Sequence, residues 1–141
     1  MLKIGILVSG GGTNFQAIID AIEMGNLVDT EIVTLVSSNP NAYALERAKK
    51  HNINAICISK KDYETDVLYQ QALIDHMKSK NVELIVMAGF MVVIGSLFIK
   101  EFENKIINIH PSLIPSFCGN GYYGLKVHEA ALKKGVKVTG A

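Results

Sequence analysis

Two cysteines, Cys57 and Cys118, are too few for a disulfide framework, and they stand 61 residues apart with no CxxC pair. No HxxxH spacing offers histidine ligands either, so no metal site is expected. Charge of one sign is also missing. Fourteen basic against thirteen acidic residues leave a net charge of +1, spread without blocks, which provides no footprint for nucleic acid or anionic lipid. The apolar, uncharged run Leu84 to Ile99 has 16 residues interrupted by Gly89 and Gly95. It falls short of the ~20 that a membrane span needs and reads as a buried strand, a loop and a helix start. The sequence opens on an apolar strand pattern rather than a secretory leader, which fits a reducing cytoplasm. Small molecules are the expected partners.

With 141 residues and 49% hydrophobic content, the chain suits one domain with a real core, spanning residues 1–141. Lys3 to Ser9 is an apolar, β-branched run, and after a glycine turn Phe15, Ile18, Ile19 and Ile22 recur at helical spacing. The alternation continues with Glu31–Ser37 as strand, Ala42–His51 as helix and Asn54–Ser59 as strand. A long helix over Asp62–Lys80, strands at Leu84–Ala88 and Lys105–His110, a helix over His128–Lys134 and a strand-like tail Val136–Thr139 follow. Strands that are apolar on both faces and separated by helices imply an α/β fold with a doubly wound, mostly parallel, Rossmann-like sheet.

Ser9-Gly10-Gly11-Gly12-Thr13-Asn14 lies between the first strand and the first helix. Glycines there let backbone amides approach an anion, and the helix N-terminus favours negative charge. A dinucleotide fingerprint needs a small residue where Phe15 stands and an acid where Ser37, Ser38 and Asn39 stand; a P-loop needs GK[ST]. Neither fits, so a single phosphate held by Gly12, Thr13 and Asn14 is the functional expectation. A tight turn in which Thr13 or Asn14 merely caps the helix is the plain alternative.

Asn108 and His110 stand two apart on an extended segment closed by Pro111, which puts both side chains on one face and Ile107 and Ile109 on the other as core anchors. Acyl transfer would use such a pair: the amide donates to an oxyanion and the imidazole moves a proton near neutral pH. A hydrogen-bonded pair at a strand end with no chemistry is the alternative. His51 and His76 read as surface residues, His128 as a brace at a helix start, and both cysteines as inert buried thiols.

Taken together, the run Ile4 to Ile18, the segment Met87-Ala88-Gly89-Phe90-Met91 and Asn108-Ile109-His110-Pro111-Ser112-Leu113-Ile114-Pro115 resemble the phosphoribosylglycinamide formyltransferases, a folate-dependent family. The likeness runs along the whole chain in order. It implies transfer of a formyl group from 10-formyltetrahydrofolate to the amine of 5-phosphoribosylglycinamide in purine synthesis, by a cytoplasmic monomer or homodimer without a metal. It further implies that Gly12, Thr13 and Asn14 contact the phosphate and that Met91, Val92, Val93 and Ile94 line the folate pocket beside Asn108. Asn108 would stabilise the tetrahedral oxyanion and His110 would act as general acid.

Two departures from the family pattern bear on this. Val92 stands where the family usually has an arginine, removing one polar contact to folate. The family's catalytic aspartate follows shortly after a Val-Thr-Gly like Val138–Gly140, so the chain is expected to be a truncated, poorly active form that exposes a sheet edge. Other readings are a formyltetrahydrofolate hydrolase, which shares the Asn-His pair but passes the formyl group to water, and a methionyl-tRNA formyltransferase, whose anionic substrate calls for a basic patch. A nucleotide-binding reductase and a non-catalytic binding protein complete the set.

Overall fold

Five aliphatic residues, interrupted only by Lys3 and Gly5, make Leu2–Val8 the first strand, β1, and its last five residues are buried. The computed structural model describes residues 1–141 and divides into two compact units, Met1–Asn108 and Ile109–Ala141.

In the first unit β1 is followed by α1 (Thr13–Glu23), β2 (Thr30–Ser37), α2 (Tyr43–Lys50) and β3 (Ala55–Cys57). A short 3-10 turn at Lys60–Asp62 leads to α3 (Asp66–Ser79), β4 (Leu84–Met87), α4 (Ser96–Glu101) and β5 (Ile106–Asn108). The strand order is β3-β2-β1-β4-β5 and all four pairings are parallel, which is the doubly wound arrangement expected. The order reverses between β1 and β4, and open sheets of this kind form their ligand crevice outside the carboxyl ends at that point.

Alternation along the strands sends side chains into two cores. On one face Ile4, Ile6, Val8, Leu35 and Val86 meet Phe15 and Ile19 of α1 and Ala44 and Ala48 of α2. On the other, Leu7, Val36 and Ile85 meet Tyr69, Leu73 and Met77 of α3 and Phe98 of α4. Each large apolar side chain buried this way contributes roughly 1.5–3 kcal/mol.

Several boundaries differ from the sequence expectation. α3 starts at Asp66 because Thr65 caps it, its hydroxyl accepting the Leu68 N–H at 3.2 Å. β5 stops at Asn108, since its only partner, β4, ends at Met87, which pairs with Asn108. Ile107 is 51% exposed rather than a core anchor. β5 is an edge strand of the sheet, and the α1–α2 core does not include Ile107.

The second unit holds α5 (Leu125–Lys134), which buries Val127 and Ala131 and begins three residues before the expected His128. Gly124 precedes it and Gly135, in the left-handed region at φ 73°, ends it. Val136–Thr139 is irregular, not strand-like, because β-branched residues form a strand only where a ladder partner exists. Ile109 is 47% exposed, so it too is no core anchor.

Candidate active site

The glycine turn leaves β1 at the strand-order reversal. Gly12 is the N-cap of α1 in a left-handed conformation, φ 72° and ψ 35°, and no side chain caps the helix. Thr13 and Asn14 therefore do not act as caps. A Cβ on Gly12 would lie 2.7 Å from the Ala44 Cβ, so both backbone conformation and packing require glycine. Around Gly10 and Gly11 the space is open.

The turn's carbonyls are engaged from one side. The Ala44 N–H donates to the Gly10 carbonyl at 3.2 Å, and Arg47 Nε donates to the Gly11 carbonyl at 2.8 Å while its Nη1 holds Gln16 Oε1. With the carbonyls turned to α2, the first N–H groups of α1 lack intrahelical acceptors and are available to an anion. Thr13 and Asn14 are exposed there.

Beside the turn runs the loop from Ala88 to Gly95, joining β4 to α4. Its four expected folate-lining residues alternate: Met91 and Val93 are exposed, while Val92 and Ile94 pack against the core shared by α3 and α4. The side chain at position 92 thus faces the interior. Asn108 closes the same sheet edge. It is exposed, pairs in register with Met87, and lies two strand spacings, roughly 10 Å, from the end of β1.

Ser9 ties this edge together, a role that sequence reading missed. Its N–H donates to the Gly89 carbonyl at 3.0 Å, its Oγ accepts the Met91 N–H at 2.8 Å, and the same Oγ is 2.6 Å from Ser38 Oγ. Ser38 also lines a hollow of about 630 Å³ with Asn39, Asn41, Cys57, Ser59 and Lys61, at the carboxyl ends of β2 and β3. A second hollow, about 360 Å³, lies at the opposite sheet edge near Thr30, Ile32 and His51, away from these residues.

In the second unit, His110 is half-buried outside any strand. Its Nδ1 accepts the Ser112 N–H at 3.2 Å and lies 3.1 Å from Ser112 Oγ. Ser112 is 4% exposed, and its hydroxyl donates to the Ser116 carbonyl at 2.6 Å. An Nδ1 that accepts a backbone N–H leaves the neutral ring's proton on Nε2, presented as a donor. The strand expected to run through His110 ends at Asn108, so His110 lies outside the ladder.

The remaining sequence candidates fall elsewhere. His51 is half-buried rather than on the surface, with Gln16 Nε2 at 3.1 Å and Glu23 Oε1 at 2.9 Å. His76, also half-buried, meets the fully buried Thr34 hydroxyl at 2.8 Å, and burial followed by the Lys80 charge lowers its pKa. His128 is exposed within α5. Neither cysteine is buried: Cys57 is exposed and Cys118 half-buried. Residual desolvation, then Asp62, push the Cys57 thiol up, which still disfavours a nucleophile. No cluster of three or more His, Cys, Asp or Glu side chains is placed to hold a metal ion, and no helix is long and apolar enough to cross a membrane.

Comparison with known proteins adds to this geometry. The sequence model described as formyl transferase matches residues 2–141. A phosphoribosylglycinamide formyltransferase of Bacillus subtilis is 38% identical over 140 residues, covering 99% of this chain and 69% of the relative. A trifunctional purine biosynthetic protein adenosine-3 of Chironomus tentans is 39% identical over 139 residues, which are 98% of this chain and 10% of that protein. The crystal structure of glycinamide ribonucleotide transformylase 1 from Symbiobacterium toebii superposes with a TM-score of 0.88 at 36% identity, covering 99% of this chain and 63% of that one. The chain thus spans a tenth of the trifunctional relative and under two thirds of that crystal structure.

Proposed function

The chain belongs to the formyl transferase family, whose pattern it carries across residues 2–141, and we propose that it serves formyl transfer from 10-formyltetrahydrofolate to the amine of 5-phosphoribosylglycinamide, in the cytoplasm. The observation that carries this reading is the arrangement at the strand-order reversal. A glycine turn with free amide donors, a loop with two outward apolar side chains and an exposed asparagine share one edge of the first unit.

Gly12, Thr13 and Asn14 hold the substrate phosphate through backbone N–H groups at the start of α1. Met91 and Val93 offer apolar contact to the flat folate ring, with Val92 and Ile94 anchoring the loop from beneath. The substrate amine attacks the formyl carbon, and Asn108 donates to the oxygen as it becomes an oxyanion. His110, as its imidazolium, gives a proton from Nε2 to the departing folate nitrogen as the carbon–nitrogen bond breaks. The proton lost by the attacking amine restores His110, leaving formylated amine and tetrahydrofolate. No covalent enzyme intermediate is needed.

The test is a deformylation assay with and without 5-phosphoribosylglycinamide. Amine-dependent appearance of tetrahydrofolate is expected. Deformylation at the same rate without the amine identifies a hydrolase, and absence of binding to either substrate removes the reading.

A further inference from the structure

Ser9 stands where the fold changes direction, and its bonds join segments that are remote in sequence. Through one residue the end of β1 is tied to Gly89 and Met91 after β4 and to Ser38 after β2. The Met91 bond spans 82 positions and the Ser38 bond 29. An Oγ that accepts the Met91 N–H still has its own proton for Ser38, so both bonds can form at once.

On its far side the glycine turn is held by α2, through Ala44 to Gly10 and Arg47 to Gly11. The turn therefore sits between two clamps, α2 and Ser9. Any adjustment of the turn's amides toward an anion is transmitted to one of them. Met91 directly precedes Val92, whose partly buried side chain packs against the core, so the loop has little freedom to absorb a shift at Met91 without moving as a unit.

We infer that Ser9 is a positioning residue that couples the anion-binding turn to the 88–94 loop, so that phosphate on the turn is felt at the Met91 amide. This rests on the proposed function in calling the turn a phosphate site and that loop the formyl-donor subsite. The coupling itself is a property of the hydrogen bonds.

Titration of the full ¹⁵N-labelled chain with inorganic phosphate tests it. In the unaltered chain the amides of Gly12 to Asn14 and that of Met91 shift together. In Ser9→Ala the turn amides still shift, the Met91 response disappears, and Met91 amide exchange without phosphate is about five- to tenfold faster, as loss of one hydrogen bond predicts. Ser9→Thr, which keeps the hydroxyl, restores the Met91 response. A Met91 amide that ignores phosphate in the unaltered chain, or responds equally in Ser9→Ala, overturns the inference, and the first of these outcomes needs no variant to fold. In turnover the same substitution raises KM for the formyl donor about three- to tenfold rather than lowering kcat. Failure of the unaltered chain to transfer formyl groups would sink the functional reading while leaving the amide result intact.

Discussion

The side-chain carbonyl of Gln70 accepts the backbone N–H of Phe98 at 3.1 Å, so a residue of α3 caps the N-terminus of α4. Gln70 is 5% exposed, and its amide nitrogen donates to Asp66, whose carboxyl the Lys60 ammonium, chiefly, holds below its ordinary pKa. A cap supplied from another helix is needed because Gly95, the N-cap residue of α4, has no side chain to offer. Replacing Gln70 with Leu leaves the Phe98 N–H without an acceptor in a buried place and should cost about 1–3 kcal/mol in urea unfolding.

The same contact explains Gly95. A Cβ built there overlaps the Gln70 side-chain amide, so Gly95→Ala must expel the cap. Gly95→Ala and Gln70→Leu are therefore expected to be non-additive, the double variant being clearly more stable than the two separate losses predict. A double-mutant cycle by denaturant unfolding measures this, and simple additivity would refute the shared cause.

The three glycines of the turn should separate stability from binding. Gly12 combines a positive φ with a neighbour 2.7 Å from its absent Cβ, whereas Gly10 and Gly11 have open space and no positive φ. Gly12→Ala should destabilise by about 1–3 kcal/mol. Gly10→Ala and Gly11→Ala should leave the unfolding midpoint nearly unchanged and weaken phosphate binding, because their methyl groups intrude where an anion approaches. Calorimetric titration with ribose 5-phosphate beside thermal unfolding distinguishes the two classes.

Much of this arrangement was legible in the sequence, for definite reasons. The β1 run, the i, i+3, i+4, i+7 spacing of Phe15 to Ile22 and the glycine turn between them are local signals, and local signals survive folding. The start of α3 was legible too, in Thr65 three residues before Leu68, a capping pattern that the apolar periodicity overshadowed. What could not be read depends on partners far away in the chain. Ser9 gains its role from Ser38 and Met91, and Gln70 from Phe98 28 positions on. Ile107 looks like a core residue, but whether an outer strand is covered is a tertiary fact. The strand expected over Lys105–His110 is shorter for the same reason: a strand lasts only as long as its neighbour, and β4 ends at Met87.

His76 predicts an acid sensitivity in the first unit. Burial, then Lys80, lowers its folded pKa below the ordinary 6.5, so the folded state binds fewer protons than the unfolded one between those two values. Stability from this group is fully present above pH 6.5 and declines as pH falls through the folded pKa. The ring's Nε2 lies 2.8 Å from the buried Thr34 hydroxyl, so the added charge would be held against a buried polar group. Urea midpoints measured from pH 8 to pH 5 should fall less steeply for His76→Gln than for the unaltered chain, and identical slopes would rule the group out.

Asn108 should be a residue of chemistry rather than of stability. It is exposed at the end of an edge strand, so Asn108→Ala should change folding stability by no more than about 0.5 kcal/mol. If its amide meets the oxyanion, kcat should drop about 10²- to 10³-fold. An interaction made only in the transition state lowers kcat and kcat/KM together and leaves KM alone. Ser112→Ala makes the contrasting case, because it removes the hydroxyl that braces the Ser116 carbonyl beside His110 while leaving the backbone bond that sets the tautomer. That variant should lose thermal stability and keep Nε2 as the protonated nitrogen in ¹⁵N spectra. A loss of turnover in Asn108→Ala that appears wholly in KM would move Asn108 from the reacting atoms to ground-state binding.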